Sequence, residues 1–193
     1  MEEKLNIKDN VTITIKSIET GSTISKTTHN FITKPGLYHV LDSLRERANV
    51  LPIDTTNGFC GLGIGSTLVD YWKTSLDSEV SGIGNAGRHE VDSVSRTSQT
   101  VLISSFFDST EASGILTEVG LFVTGYDSGG NLLTASDDLD SGVMFAKATF
   151  NPNTKDTTNS LTIDWEITFW GDELWKQMLK YIMIKEKRET FIT

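Results

Sequence analysis

Hydrophobic and polar residues alternate near the start of the chain. Residues 11–15 read Val-Thr-Ile-Thr-Ile, and this two-residue period is typical of a β-strand that buries one face. A different period follows, because Pro35 and Gly36 precede apolar residues spaced three and four apart. Those residues are Leu37, Val40, Leu41 and Leu44. Their spacing, with a proline suited to the first helical turn, predicts a short helix over residues 35–48.

Four apolar runs in the second half of the chain have the length and composition of strands. They cover residues 100–107, 115–124, 143–150 and 161–170. The segments between them are rich in Asp, Asn, Ser and Gly, which favour turns, and no crossover helix is predicted there. This spacing favours antiparallel pairing, in an all-β sandwich or a partial barrel. We therefore expect a mainly β protein built on one antiparallel β-sandwich-like domain.

Glycine alternates with larger residues in the segment 59–65, which reads Phe-Cys-Gly-Leu-Gly-Ile-Gly. The pattern predicts a buried strand whose glycine side is approached closely by another backbone. Residues 66–97 are mostly polar, which indicates a long loop with one helical turn around residues 76–80. Since this loop has few apolar residues with which to bury itself, it is a candidate for contact with partners. The adjacent aromatic residues Tyr71 and Trp72 lie within it and are expected to be exposed.

The last part of the chain has the pattern of an amphipathic helix that begins near Asp172. Its apolar stripe consists of Leu174, Trp175, Met178, Leu179, Ile182 and Met183. Such a stripe packs either on its own sheet or on a neighbouring subunit. We therefore divide the chain into a β-rich domain, residues 1–170, and a C-terminal helical anchor, residues 171–193. The six stripe residues, together with Tyr71 and Trp72, are the predicted interaction residues.

Composition and charge exclude several classes of function. The chain has 193 residues, with 17 basic and 26 acidic side chains and a net charge of −9, so it repels phosphate backbones and no direct nucleic-acid partner is expected. Cys60 is the only cysteine, which excludes an intrachain disulfide and a zinc site made of several thiolates. No signal-peptide pattern and no run of membrane-spanning length is found. We expect synthesis in the cytoplasm and no membrane partner.

The familiar motifs of catalysis and cofactor binding do not occur in the sequence. No serine lies in a Gly-x-Ser-x-Gly turn, and the glycine-rich residues 61–66 lack the Gly-Lys-Ser/Thr of a phosphate loop. The histidines are far apart in the chain and match no metal-binding spacing: they are His29, His39 and His89. Three acidic residues lack the glycine and glutamate of a calcium loop: they are Asp137, Asp138 and Asp140. We therefore expect a non-enzymatic protein with no cofactor and no metal.

The strongest segments between residues 29 and 169 follow a distinctive order. They are His29-Asn30-Phe31-Ile32-Thr33 with Gly36-Leu37, Gly61-Leu62-Gly63-Ile64-Gly65, Leu76 with Glu79, Arg88, Thr117-Glu118-Val119-Gly120-Leu121-Phe122, Leu132-Leu133, and the runs 146–150 and 161–169. This order resembles a widespread group of tailed-bacteriophage virion proteins, usually labelled tail, tail-fibre or minor structural proteins. The resemblance implies roles in assembly and attachment and carries no catalytic residues. The chain departs from the group's pattern in the acidic segment 136–142 and in the helix after Trp170.

These features predict a structural subunit of a tailed-phage virion, in the tail, collar or fibre-attachment region. The nearest alternative is a capsid decoration or minor capsid protein. A carbohydrate-binding module is an alternative of another class, suggested by a β-rich, acidic chain with the aromatic pair Tyr71-Trp72. The expected partners are copies of the chain and other virion proteins, with a host-surface glycan as a further possibility. The expected location is the virion, assembled in the host cytoplasm.

Overall fold

The computed structural model describes residues 7–45, 47–67, 70–80, 88–127 and 129–169. These residues form eleven strands and one helix. In chain order they are β1 Ile7–Ser17, β2 Thr23–Ile32, α1 Lys34–Leu44, β3 Gly58–Gly63, β4 Arg88–Glu90, β5 Ser93–Thr97, β6 Thr100–Phe107, β7 Gly114–Val123, β8 Gly125–Tyr126, β9 Leu132–Leu133, β10 Val143–Lys155 and β11 Asn159–Phe169. The protein is mainly β, as the sequence predicts.

Nine of the described strands form one antiparallel sheet, in the order β4-β3-β7-β10-β2-β1-β11-β6-β5. The two short strands β8 and β9 pair separately. The longest pairing joins β1 to β11, with Ile7 opposite Phe169 and Ser17 opposite Asn159. The residues of β1 alternate between the two faces of the sheet. Val11 and Ile13 are buried on one face. On the other face, the hydroxyls of Thr12 and Thr14 form hydrogen bonds with those of Thr27 and Ser25 of β2.

The sheet curls because two segments of the chain each pair with both halves of the sheet. These segments are β2 and the stretch from β4 to β5. Residues 23–29 of β2 pair with β1, whereas residues 30–32 pair with β10. At the opposite margin, β4 pairs with β3 and β5 pairs with β6, yet only Val91 and Asp92 separate β4 from β5. Strands β4 and β5 lie at opposite ends of the strand order. The short link between them therefore brings the two margins of the sheet together.

One hydrophobic core lies between the two halves of this curled sheet. It contains residues of β1, β6 and β11 from one half and residues of β3, β7 and β10 from the other: among them are Val11, Phe107, Leu161, Trp165, Cys60, Leu62, Val119, Leu121, Ala146 and Ala148. Burial raises the pKa of the Cys60 thiol to about 12, so this thiol is neutral and unreactive at physiological pH. That agrees with the placement of Cys60 inside a buried strand.

Helix α1 covers Lys34–Leu44, so the predicted range 35–48 is correct at its start and too long at its end. Thr33 caps the helix, because its side chain accepts a hydrogen bond from the Gly36 amide at 3.1 Å. Pro35 lies in the first turn, as the sequence predicts. Gly36 lies against the backbone of Phe145, where a β-carbon would collide. The helix therefore rests on β10 at a position that only glycine fits.

The long loop predicted for residues 66–97 is partly wrong. Residues 88–90 and 93–97 are the strands β4 and β5, and residues 76–80 form no helical turn among the described residues. Strand β2 was also not predicted from the pattern. Polar side chains explain both errors, since β2 is exposed on residues 23–27 and β5 is mostly exposed, so neither shows the apolar alternation of a half-buried strand.

The predicted C-terminal helix lies outside the described residues, as do its stripe residues Leu174, Trp175, Met178, Leu179, Ile182 and Met183. No helix among the described residues is long and apolar enough to cross a membrane.

Candidate interaction surface

The outer face of β3 and β7 carries glycines where other strands carry side chains, and a loop lies directly on it. A β-carbon on Gly63 would lie 2.5 Å from Oε1 of Glu118 and 2.7 Å from the Ser78 carbonyl oxygen. Gly61 and Gly120 are crowded in the same way by neighbouring side chains. The prediction that another backbone approaches the glycine side of this strand is confirmed.

Glu118 of β7 holds that loop to the sheet. Its buried carboxylate accepts hydrogen bonds from the amides of Gly65 at 3.0 Å, Asp77 at 3.1 Å and Ser78 at 2.8 Å. The ammonium of Lys147, on the adjacent strand β10, lies 2.7 Å from the same carboxylate. Both side chains are fully buried. A buried carboxylate is tolerated when its oxygens are paired and hydrogen-bonded in this way.

Asp77 extends this ion cluster to the protein surface. Its carboxylate lies 2.6 Å from Nζ of Lys147 and 2.5 Å from Nζ of Lys73, and it accepts a hydrogen bond from the Thr67 hydroxyl. Burial alone would raise the pKa of Asp77, but the hydrogen bonds from Lys147, Lys73 and Thr67 hold that pKa below its ordinary value. Two carboxylates and two ammonium groups therefore balance in one cluster.

A second buried ion pair joins the loop to β4. The Arg88 guanidinium meets the Glu79 carboxylate through two nitrogens, one of them Nη2 at 3.1 Å, and both side chains are almost fully buried. The guanidinium carbon lies 3.6 Å from the ring centroid of Phe122. Nη1 of Arg88 also donates to the carbonyl of Ser141 at 2.6 Å and to its hydroxyl at 2.8 Å. A forked arginine contact of this kind fixes orientation as well as position.

An apolar contact completes the attachment of this loop. We name residues 70–80 the clasped loop. Leu76 is buried in a small cluster separate from the main core. The other members of this cluster are Phe59, Phe122, Ala135 and Met144. Together with the two ion pairs, this contact fixes the loop on the sheet. The sequence had indicated instead that the loop has few apolar residues with which to bury itself.

The clasped loop carries two exposed aromatic residues at its start. Trp72 is 67% exposed and Tyr71 is 40% exposed, and their rings meet edge to face with centroids 5.4 Å apart. The Lys34 amide donates to the Tyr71 carbonyl oxygen at 2.7 Å, and Nζ of Lys34 lies 4.1 Å from the Trp72 ring centroid and 5.5 Å from that of Tyr38. We name Lys34, Tyr38, Tyr71 and Trp72 the aromatic surface. The predicted exposure of Tyr71 and Trp72 is confirmed.

The aromatic surface lies at the end of the sheet where strand β1 begins and strand β11 ends. Ile7 and Phe169 face each other at that end. Strand β2 runs antiparallel to β1, so its last residue, Ile32, lies at the same end, and Thr33 separates it from Lys34, the first residue of α1. Residues 170–193 follow Phe169 in the chain. The aromatic surface and Phe169, the last described residue, therefore lie at one end of the domain.

The remaining polar candidates stay apart. His29 is exposed, His39 is buried, and Nδ1 of His89 lies 3.2 Å from Oε1 of Glu111. Among the described residues, no group of three or more His, Cys, Asp or Glu side chains is placed to hold a metal ion. The acidic residues of the 136–142 segment are exposed, as expected for a turn: they are Asp137, Asp138 and Asp140.

Sequence reasoning missed the buried charges that fix the clasped loop. Lys147 falls within a predicted strand, where a lysine is normally expected on the exposed face. No pattern in the sequence indicated a role for Asp77. Leu76, Glu79 and Arg88 stood out only because of the resemblance. The structure gives them a physical role, since they attach the same loop to the same sheet.

Comparison with protein-family models, with curated proteins and with solved structures found no match.

Proposed function

We propose that this chain is a non-enzymatic structural subunit of a tailed-phage virion, in the tail, collar or fibre-attachment region. The observation that carries the proposal is the attachment of the clasped loop: buried charges fix its residues 77–79 to the sheet, and its exposed aromatic residues Tyr71 and Trp72 lie beside Lys34. Trp, Tyr and cationic side chains fixed before binding lose little entropy on contact and are common anchors of protein interfaces. The proposal that the assembly is a tailed-phage virion rests on the resemblance in sequence.

In this proposal the two halves of the curled sheet serve as the layers of a sandwich-like domain. Residues 171–193 form the amphipathic helix that anchors the domain to a neighbour. The partners are copies of the chain and other virion proteins, with neither nucleic acid nor membrane among them. The location is the mature virion, after assembly in the host cytoplasm.

The test replaces the aromatic anchors and measures incorporation into particles. In a phage lacking the native gene product, the double variant Tyr71→Ala, Trp72→Ala supplied in trans should be recovered in purified particles at less than about a tenth of the wild-type amount, because loss of interface anchors costs several-fold to hundred-fold in affinity. Phe106→Ala is the matched control, since Phe106 is an exposed aromatic residue of β6, outside the aromatic surface. Equal incorporation of all three proteins would contradict the proposed role of the aromatic surface.

A carbohydrate-binding module remains the second candidate function. The exposed Trp72 ring favours it, because aromatic faces stack on the apolar faces of sugars. A glycan array probed with the purified chain tests it, and binding of a defined glycan by a chain that is absent from virions would favour this candidate over the structural one.

A further inference from the structure

A cleft of about 370 Å³ opens where strands β2 and β10 separate. The two strands pair only through residues 30–32 and 146–148, because β2 then turns to pair with β1. Strand β10 also bulges here, with Thr149 opposite Glu118 and Asn153 opposite Leu116 of β7. Four steps along β10 therefore match two steps along β7. The bulge displaces residues of β10 away from the sheet, as bulges near binding sites commonly do.

The lining of the cleft is rich in hydroxyl and amide groups. Thr28, Ser66 and Thr117 contribute hydroxyls, and Asn151 contributes a side-chain amide. Phe150 also lines the cleft, and its half-buried aromatic side chain packs against the main core as well. A volume of this size suits a ligand of one or two rings. The mixture of hydroxyl, amide and aromatic groups matches a ligand that carries many hydroxyls and has apolar ring faces.

Several of these polar groups are already held in place. The Thr28 hydroxyl donates to the Thr149 carbonyl oxygen at 3.2 Å, and the Thr117 hydroxyl donates to the Gly65 carbonyl oxygen at 2.6 Å. A hydroxyl oxygen that donates one hydrogen bond can still accept others. A ligand that binds here therefore orders few side chains, which reduces the entropic cost of binding.

The charge of the cleft favours an acidic ligand. Among the described residues that line it, Lys26 is the one with an ionisable side chain. Its ammonium donates one hydrogen bond, to Oδ1 of Asn153 at 2.8 Å, and retains two further donors. The lining residues within the described part of the chain include no carboxylate, although the chain as a whole has a net charge of −9. An anionic group on the ligand would therefore bind at the ammonium group of Lys26.

Addition of a peptide strand is disfavoured at the same place. Pro152 lies in the bulge and lacks a backbone N–H. The contact between Lys26 and Asn153 also crosses the gap between β2 and β10. Proline, lysine and bulges are the features that protect strand edges from pairing.

We propose that this cleft binds a saccharide that bears a carboxylate, with the carboxylate at Lys26 and the sugar ring against Phe150. This inference is separate from the virion role and from the aromatic surface. The proposed saccharide site is distinct from the exposed Trp72 ring on which the second candidate function rests.

The test uses the full chain and an array of uronic- and sialic-acid-containing oligosaccharides beside their neutral counterparts. Wild-type protein should bind members of the acidic set, and calorimetric titration with the strongest of them should give a Kd that Lys26→Ala raises about tenfold or more, as expected for a lost charge-assisted hydrogen bond. Ser66→Trp should block binding by filling the cleft. Trp72→Ala should leave the Kd unchanged.

Lys26 and Ser66 are exposed, so both variants should keep the wild-type melting temperature, which is checked alongside. Absence of acidic-saccharide binding by the wild-type chain would overturn the proposal. Unchanged affinity in both cleft variants, or loss of binding in Trp72→Ala alone, would overturn it as well. None of these results affects the count of the chain in virions, so the two proposals fail independently.

Discussion

At the scale of single residues, the most consequential side chains are charges buried where apolar residues are expected. Lys147 and Glu118 are both fully buried and lie 2.7 Å apart. Pairing offsets the cost of removing each charge from water, so neither residue is tolerable in this position without the other. The pair therefore contributes little net stability. Its burial requires the clasped loop to be in place, because amides of that loop donate hydrogen bonds to Glu118.

Removal of one partner should expose this dependence. We expect Lys147→Ala to lower the free energy of unfolding by about 3–5 kcal/mol, because it leaves the Glu118 carboxylate buried without a counter-charge. Chemical denaturation measures the change. Lys73→Ala is the matched control, since it removes a partly exposed lysine from the same cluster and should cost much less than Lys147→Ala, because solvent screens its charge. Similar losses in the two variants would contradict the importance of burial.

Asp9 should give the stability of the domain a dependence on pH. Burial raises the pKa of Asp9 to about 7 from an ordinary value of 3.8, and its Oδ1 has no hydrogen-bond partner among the described residues. The folded state therefore holds a proton that the unfolded chain releases, and this contribution to stability is lost as pH rises from about 4 to about 7. Asp9→Asn should remove this part of the pH dependence.

Thermal unfolding at several pH values tests the expectation. The melting temperature of Asp9→Asn should exceed that of the wild type by more at pH 8 than at pH 5. Asp164→Asn is the control, because Asp164 is exposed on the neighbouring strand β11. A difference between Asp9→Asn and the wild type that does not change with pH would show that Asp9 does not titrate in this range.

At the scale of elements, the glycines of β3 determine where the clasped loop lies. Gly63→Ala should displace the loop, since its β-carbon would meet the Glu118 side chain and the Ser78 backbone. We expect a loss of about 1–3 kcal/mol, typical of overpacking, and faster amide hydrogen exchange in residues 64–80. Gly129→Ala is the control, because there the nearest atoms are the ends of the Asn131 and Asp127 side chains, at 3.2 Å or more. Unchanged exchange in Gly63→Ala would contradict close packing.

The elements also show what could and could not be read from the sequence. The strands with a buried face were predictable, because β1, β6, β7 and β11 alternate or carry apolar runs. Strands β2 and β5 were not, because their exposed polar residues give no hydrophobic period. The clasped loop was misread for a related reason. Its attachment depends on buried charges contributed by distant strands, and such pairing has no local signal in the chain.

At the scale of the whole molecule, the terminal segment should couple the domain to its neighbours. Replacement of Trp175 and Ile182 by Asp should abolish incorporation into particles, because full burial of each such side chain contributes on the order of 1.5–3 kcal/mol or more. Incorporation is measured by complementation, with Lys176→Asp, Lys180→Asp as the control outside the apolar stripe. Normal assembly of the Trp175, Ile182 variant with an unchanged melting temperature would show that the helix is neither anchor nor core.

If the chain is a virion subunit, it must be present in purified particles in a defined number of copies. Quantitative mass spectrometry of density-purified virions should count the chain against the major capsid protein. The account predicts tens of copies or fewer in each particle, as for a tail, collar or fibre-attachment component. Hundreds of copies would indicate a capsid decoration protein instead. Absence of the chain from purified virions that contain every other structural protein would contradict the account.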